Sequence, residues 1–444
     1  MNFRLPARCK ATTLILAVIS TAINTGIAQT TITKWPMGKS AAISLTYDDG
    51  SINQFRQAMP IMDSLGFPGT FFIVTGAIPG SKYSSAFIGR PVKDIIEETK
   101  TQATGKDNFF ERASAVGHLG YRGTLQYHFE AGTLFEQGKL DEAYRKIDEA
   151  YARVRAGEFA AGKDTSGEAM ESGLNTWEEF RSYAKKGHEF GSHTISHARL
   201  AVLDEVNMLY ELEKSREDIR SQLGEQHCFS AEGPFGTENE RVMEIAFQHK
   251  LFPALRNRMP HEYLEELNRG SKKAPGASDK EYVQWQRGPL SATPMDLMRS
   301  WIDTLVAHDN IWLTLVFHGV SGIGWQAKPA EDLAVFFGHI KQHEQHLWVA
   351  TFGDATRYMR ERMASTVSSQ QNTDRITVKL ENDLDKKLYY LPLTLKTYLP
   401  DSWTAISIRQ GKKGLKHVIG KDQQGRYILY EASANRRQIE IRRK

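Results

Sequence analysis

Four side chains in two short stretches have the types and spacing to hold a cation and move a proton. The first stretch is Thr46-Tyr47-Asp48-Asp49-Gly50. Two adjacent carboxylates repel unless a cation or a proton sits between their environments. Neighbouring side chains on extended backbone point in different directions, so Asp48 and Asp49 can take different jobs. Gly50 lets the chain turn sharply away. Taken alone, such a triplet equally suits a solvated turn. The second stretch is Gly187-His188-Glu189-Phe190-Gly191-Ser192-His193-Thr194-Ile195-Ser196-His197. His193 and His197 are four apart, and one helical turn would put both imidazoles on one face, able to share a cation. His188-Glu189 does not open a zincin pattern, because Ser192 stands where the second histidine is required. A histidine pair by itself is often incidental. This one gains weight because both stretches fall at carboxyl ends of predicted strands, where an aspartate joins two histidines.

The elements that must position these groups alternate along the chain. Apolar, β-rich runs occur at Ala41–Thr46, Thr70–Val74, Glu189–Gly191, Cys228–Ala231, Pro253–Arg256, Tyr282–Gln286, Leu313–Phe317 and Trp348–Phe352. Amphipathic stretches such as Glu205–Leu223, Asn239–His249 and Met295–Ala307 lie between them. This order implies right-handed βαβ units and a parallel sheet. Its length predicts an α/β fold, a distorted (β/α) barrel of seven or eight parallel strands. The 114 residues between Val74 and Glu189 far exceed one crossover. They are read as a helical insertion over about residues 80–180, which starts on the barrel rim and serves as a lid, a substrate wall or a structural elaboration. Beyond the barrel at 29–363, Ala364–Thr373 is polar and reads as a linker. Residues 374–444 alternate in short segments and predict a small all-β, sandwich-like domain.

Composition narrows the setting. The 444 residues are 40% hydrophobic and 25% charged, which excludes a wholly disordered chain. Arg4, Arg8 and Lys10 precede an apolar run ending near Ile23, and Gly26-Ile27-Ala28 offers small residues for cleavage. Residues 1–28 therefore read as a signal peptide, with an uncleaved anchor as the alternative, and predict a secreted or periplasmic protein. No second apolar stretch is long enough to span a membrane. Removing Cys9 with this segment leaves Cys228, read as a buried small hydrophobe, without a disulfide partner. Residues 366–444 hold 16 Lys/Arg against 8 Asp/Glu, a basic surface suited to solvent or to an anionic polymer. No nucleic-acid motif is present.

With these residues in place, the chain resembles the polysaccharide deacetylases of carbohydrate esterase family 4, the NodB-homology family. The family's T-F-D-D-G motif corresponds to Thr46–Gly50 with Tyr47 for Phe, and its H-[ST]-x-x-H motif to His193–His197. Thr70-Phe71-Phe72-Ile73-Val74 resembles its A-T-F-F stretch, and Leu315-Val316-Phe317-His318 its late strand-end histidine motif. The resemblance implies a divalent metal, commonly zinc, with cobalt, nickel or manganese as other choices, held by Asp49, His193 and His197. It implies Asp48 as general base, His318 as general acid, and a main-chain N–H near Phe235 as oxyanion donor.

Two departures stand out. The family's R-x-P-[FY] motif reads Glu232-Gly233-Pro234-Phe235 here, so a carboxylate replaces the arginine that supports the catalytic aspartate. The fourth motif supplies Trp285 and Arg287 but no convincing aspartate. An ion pair between Glu232 and Arg287 is the expected compensation, with Arg256 as the competing partner. Trp325, in the Gly-rich segment after His318, is a candidate sugar platform or a core residue. His339, His343 and His346 have helical spacing but read as a solvated surface. The expected function is hydrolysis of N-acetyl or O-acetyl groups on a polysaccharide or oligosaccharide. The rivals are a catalytically impaired glycan-binding protein of the same fold and a hydrolase of another C–N bond.

Overall fold

Ala41–Tyr47 and Ile311–Phe317 are buried at every position, as befits central strands covered on both faces. In this computed structural model, which describes residues 29–236, 239–256 and 261–444, they lie side by side. The export segment read over residues 1–28 lies outside the described residues. After a short strand β1 (Thr30–Ile32), the parallel sheet contains β2 (Ala41–Tyr47), β3 (Gly69–Ile73), β4 (Glu189–Ser192), β5 (Ser230–Ala231) and β6 (Ala254–Leu255). It continues with β7 (Leu264–Leu267), β8 (Tyr282–Arg287), β9 (Ile311–Phe317) and β10 (Leu347–Val349). The strand order is β6-β5-β4-β3-β2-β9-β8-β7, with β10 paired to the start of β2. Every pairing is parallel. Among the described residues β6 and β7 do not pair, so the distorted barrel expected from the sequence is open at that seam. β7, Leu-Glu-Glu-Leu, was not legible as a strand because its centre is acidic.

The sheet is tied at its amino-terminal end by one buried carboxylate. Glu189 accepts from Thr70 Oγ1 and Ser230 Oγ at 2.9 Å and from the Gly353 N–H at 2.7 Å. His188 accepts from the Gly69 N–H and contacts Asp63 at 2.9 Å, a structural assignment for that histidine. The insertion is helical, as expected, with helices at Val92–Glu98, Phe109–Ala115, Leu125–Glu136, Leu140–Arg155, Gly167–Ser172 and Trp177–Ala184. It has its own core around Phe109, Ile147 and Tyr151. The last of these helices opens with a reciprocal Thr176–Glu179 capping box.

Beyond the helix Phe352–Ala364, the polar stretch read as a linker contains a strand, β11 (Thr366–Gln371). Its alternating exposure pays no hydrophobic signal into the sequence, which is why it read as loop. β11 pairs with β12 (Arg375–Glu381); β13 (Leu393–Tyr398), β14 (Ile406–Gln410), β15 (Lys413–Gly414), β16 (His417–Asp422), β17 (Gly425–Ala432) and β18 (Ile439–Arg443) follow. They form two sheets, β11-β12-β18-β14-β15 and β1-β13-β17-β16. The amino-terminal strand β1 thus belongs to the carboxy-terminal sheets. One apolar cluster runs from Trp35, Trp312 and Tyr358 into Leu393, Ile428 and Ile441, joining barrel and β-sheets. No described helix is long and apolar enough to cross a membrane.

Candidate active site

The ends of β2, β4, β5 and β9 bring the predicted residues to one cavity of about 280 Å³. Its walls include Asp48, Asp49, His193, His197, Phe235, His318 and Trp325. His193 Nε2 and His197 Nε2 lie 3.4 and 3.3 Å from the same oxygen of Asp49, Oδ1. One ligand atom from each of the three falls within 4.8 Å of the others. His193 Nδ1 lies 2.9 Å from the Glu232 main-chain oxygen, and donating to that acceptor leaves Nε2 free to bind a cation. The donor set of one carboxylate and two imidazoles therefore fits a borderline divalent metal such as zinc. Burial works against ionising Asp49, but hydrogen bonds from both histidines outweigh it and hold its carboxyl far below the ordinary range.

The two histidines do not share a helical turn. Residues 193–199 carry no helix, and Thr194 and His197 have φ of 69° and 61°. Left-handed backbone at non-glycine residues costs free energy and persists only where the surroundings impose it. Here Glu211 imposes it, accepting from the Ile195 and Ser196 N–H groups at 2.8 and 3.0 Å and from Ser196 Oγ at 2.7 Å. Asp49 (φ 74°) and Phe235 (φ 65°) share this strain.

The other wall carries a charge cluster. Arg256, from the end of β6, donates to both oxygens of Asp48 at 2.8 and 2.5 Å, and to Thr46 Oγ1 at 2.8 Å. The same guanidinium lies 3.1 Å from Glu232 Oε1. The expected Glu232–Arg287 pair is not formed. Arg287 donates instead to the Gln286 carbonyl and lies over the Trp285 ring, 4.5 Å from its centroid. Its strand is on the opposite arm of the sheet from β5, whereas β6 is the neighbour of β5. Arg256 thus restores, from the next strand, a cation beside Asp48. Burial disfavours the charge on Asp48, yet Arg256, His318 and His193 together keep its carboxyl below the ordinary range. Burial and the charge of Asp48 push Glu232 upward, with Arg256 opposing.

His318 Nε2 is 3.5 Å from Asp48 Oδ2, and burial lowers the His318 pKa despite both aspartates. Trp325 is 52% exposed with its ring centroid 4.7 Å from that of His318, which rules out the core alternative. The Phe235 ring lies beside His197 at 4.8 Å and under the Arg199 guanidinium at 4.1 Å.

Several participants were invisible in the sequence. Gln54, in a π-helical turn over Gln54–Ala58, donates to the Asp48 and His318 carbonyls at 2.5 and 2.9 Å, tying the two motifs together. The insertion contributes Glu168, 3.4 Å from His197 Nδ1, and Asn175, which donates to the Gly50 carbonyl. Arg269 also lines the cavity. A glutamine after an aspartate motif, or an acid far along a helix, gives no spacing signal. A second aspartate–histidine group occurs at the surface: Asp303 stands with His339 and His343, while His346 contacts Gln345. Cys228 is buried, and burial pushes its thiol up to about 12.

Comparison with known proteins finds a family likeness over part of the chain. The family model described as polysaccharide deacetylase matches residues 131–253. A gellan lyase from Bacillus sp is 24% identical over 296 residues, covering 60% of this chain and 11% of that protein, so the chain spans about a tenth of this curated relative. A putative polysaccharide deacetylase from Mycobacterium smegmatis is similar at TM-score 0.39 and 13% identity, covering 76% of this chain and 96% of the other. The Xyl-CE4 domain of a multidomain xylanase from the hindgut metagenome of Trinervitermes trinervoides gives 0.32 and 10%, covering 71% and 89%. Over the stretch that holds the His193–His197 loop and the Glu232 turn, this chain is similar to the polysaccharide deacetylases.

Proposed function

We propose that the chain is an exported, metal-dependent deacetylase acting on an acetylated polysaccharide or oligosaccharide. The observation that carries this reading is the convergence of Asp49, His193 and His197 beside Asp48 and His318 in one cavity. A divalent ion, zinc first among the candidates, would be held by Asp49, His193 and His197, and would supply polarisation of the acetyl carbonyl and a more acidic water. Asp48, kept ionised by Arg256, accepts the proton of the attacking water. His318 delivers a proton to the leaving amine nitrogen or alkoxide oxygen. The Phe235 N–H donates to the developing oxyanion, and the exposed face of Trp325 packs on the sugar. The cation beside Asp48 answers the main argument for an impaired, purely glycan-binding protein, since binding alone needs no charge-supported base.

The test is acetate release by the zinc-loaded full chain on N- and O-acetylated oligosaccharides, beside Asp48→Asn. Release that falls by roughly a thousandfold or more in the variant supports the reading, and the responding substrate distinguishes amide from ester. Stoichiometric metal without acetate release from any substrate would overturn it.

A further inference from the structure

A second, wider concavity of about 1200 Å³ opens from the catalytic cavity and shares Arg269 and Trp325 with it. Among the described residues its lining includes Arg269, Lys272, Lys273 and Arg287, and not one aspartate or glutamate. Lys273 is paired with Glu265 at 2.6 Å. Arg269, Lys272 and Arg287 make no ion pair with a described carboxylate. Arg287 is the most telling of the three. Its guanidinium lies over Trp285, burial shifts it, and its one side-chain hydrogen bond among the described residues goes to the neighbouring Gln286 carbonyl. A half-buried guanidinium with most of its donors uncommitted is arranged to meet an anion, and its planar fork matches a carboxylate.

We propose that this groove binds a carboxylate-bearing glycan, so that the chain's substrate is an acidic, uronate-containing polysaccharide. The inference rests on the deacetylase reading for what happens in the cavity, but the groove makes its own case. Because the groove runs into the cavity past Trp325, the polymer lying in it is the one presented to Asp48 and His318. That continuity favours a glycan over other polyanions. The groove is roughly four times the volume of the cavity, enough to hold several sugar units beyond the one whose acetyl group enters. Arg287 thereby has a role different from the charge pair expected of it: it faces the polymer and leaves Asp48 to Arg256.

The experiment measures binding of an unacetylated oligouronate to the full chain, against the same oligosaccharide with its carboxyl groups reduced to alcohols. The expected result is about tenfold tighter binding of the carboxylated form, weakening as salt rises. The Lys272→Ser/Arg287→Ser double variant loses that preference, while Arg287→Lys, which keeps the charge, retains part of it. Equal binding of the two oligosaccharides, or an unchanged preference in the double variant, would overturn the groove assignment. Carboxylate-dependent binding without acetate release from any acetylated form would leave the groove standing and remove the deacetylase reading. Acetate release with no carboxylate preference in binding would do the reverse.

Discussion

Two groups in this molecule unite one aspartate with two histidines four apart, and they differ in everything around the ligands. Asp49, His193 and His197 sit at strand ends, are at most 5% exposed, and lie among Asp48, Glu168 and Glu232. Asp303 and His339 lie on surface helices and His343 caps the second, with Asp303 exposed, while burial, then His343 and the Arg299 cation, lower the pKa of His339. In the first group a main-chain carbonyl fixes the His193 ring, whereas the second has a neighbouring cation that opposes another positive charge. Ligand count does not make a metal site; surrounding negative charge and a fixed ring orientation do.

Breaking the buried group gives the largest expected effect. Asp49→Ala or His193→Ala loses the bound metal and lowers acetate release by about a thousandfold or more, as metal analysis and kinetics on the same preparation would read. Retained metal in either variant would place the site elsewhere. Next comes the cation behind the base. Arg256→Met leaves Asp48 and Glu232 buried without compensation, a loss of about 3–5 kcal/mol of stability by denaturant unfolding. Wild-type stability would show that the cluster is not a buried ion network.

A smaller effect is expected at the loop that holds the histidines. Glu211→Ala removes the acceptor of the Ile195 and Ser196 N–H groups, costing about 1–3 kcal/mol and weakening metal affinity. If metal affinity is untouched, the left-handed backbone at Thr194 and His197 is held by something else. The surface group gives the smallest effects. His343→Ala leaves metal content unchanged and stability within about 0.5 kcal/mol. His339, whose pKa is depressed on folding, binds fewer protons folded than unfolded, so its contribution is present above pH 6.5 and lost as pH falls below it. His339→Gln flattens that slope, by a few tenths of a kcal/mol after solvent screening, and changes nothing at pH 8. Metal loss in either surface variant would erase the distinction between the two groups.

The same contrast explains what the sequence could and could not reveal. Asp49, His193 and His197 are legible because each motif is a short loop at a strand end, with its spacing written locally. The barrel strands were legible for the same reason, apart from acidic β7, as were most strands of the carboxy-terminal sheets, apart from polar β11. Arg256 meets Glu232 because β6 lies beside β5, and meets Asp48, 208 residues away, because the sheet curls back from β6 toward β2; strand order and curl are tertiary outcomes that no spacing encodes. Hence Glu232 read as a defect needing Arg287, with Arg256 as the competing partner, and the structure forms the pair with Arg256 from the adjacent strand. Gln54, Glu168 and Asp303 were missed likewise, each supplied by an element whose neighbours the sequence does not name.

The most direct measurement titrates zinc into the metal-stripped full chain while following bound metal and acetate release together. Release is expected to rise in step with occupancy of a single site and to be absent at every zinc concentration in Asp49→Ala. Acetate release by the metal-free chain, or full release by Asp49→Ala, would contradict that expectation.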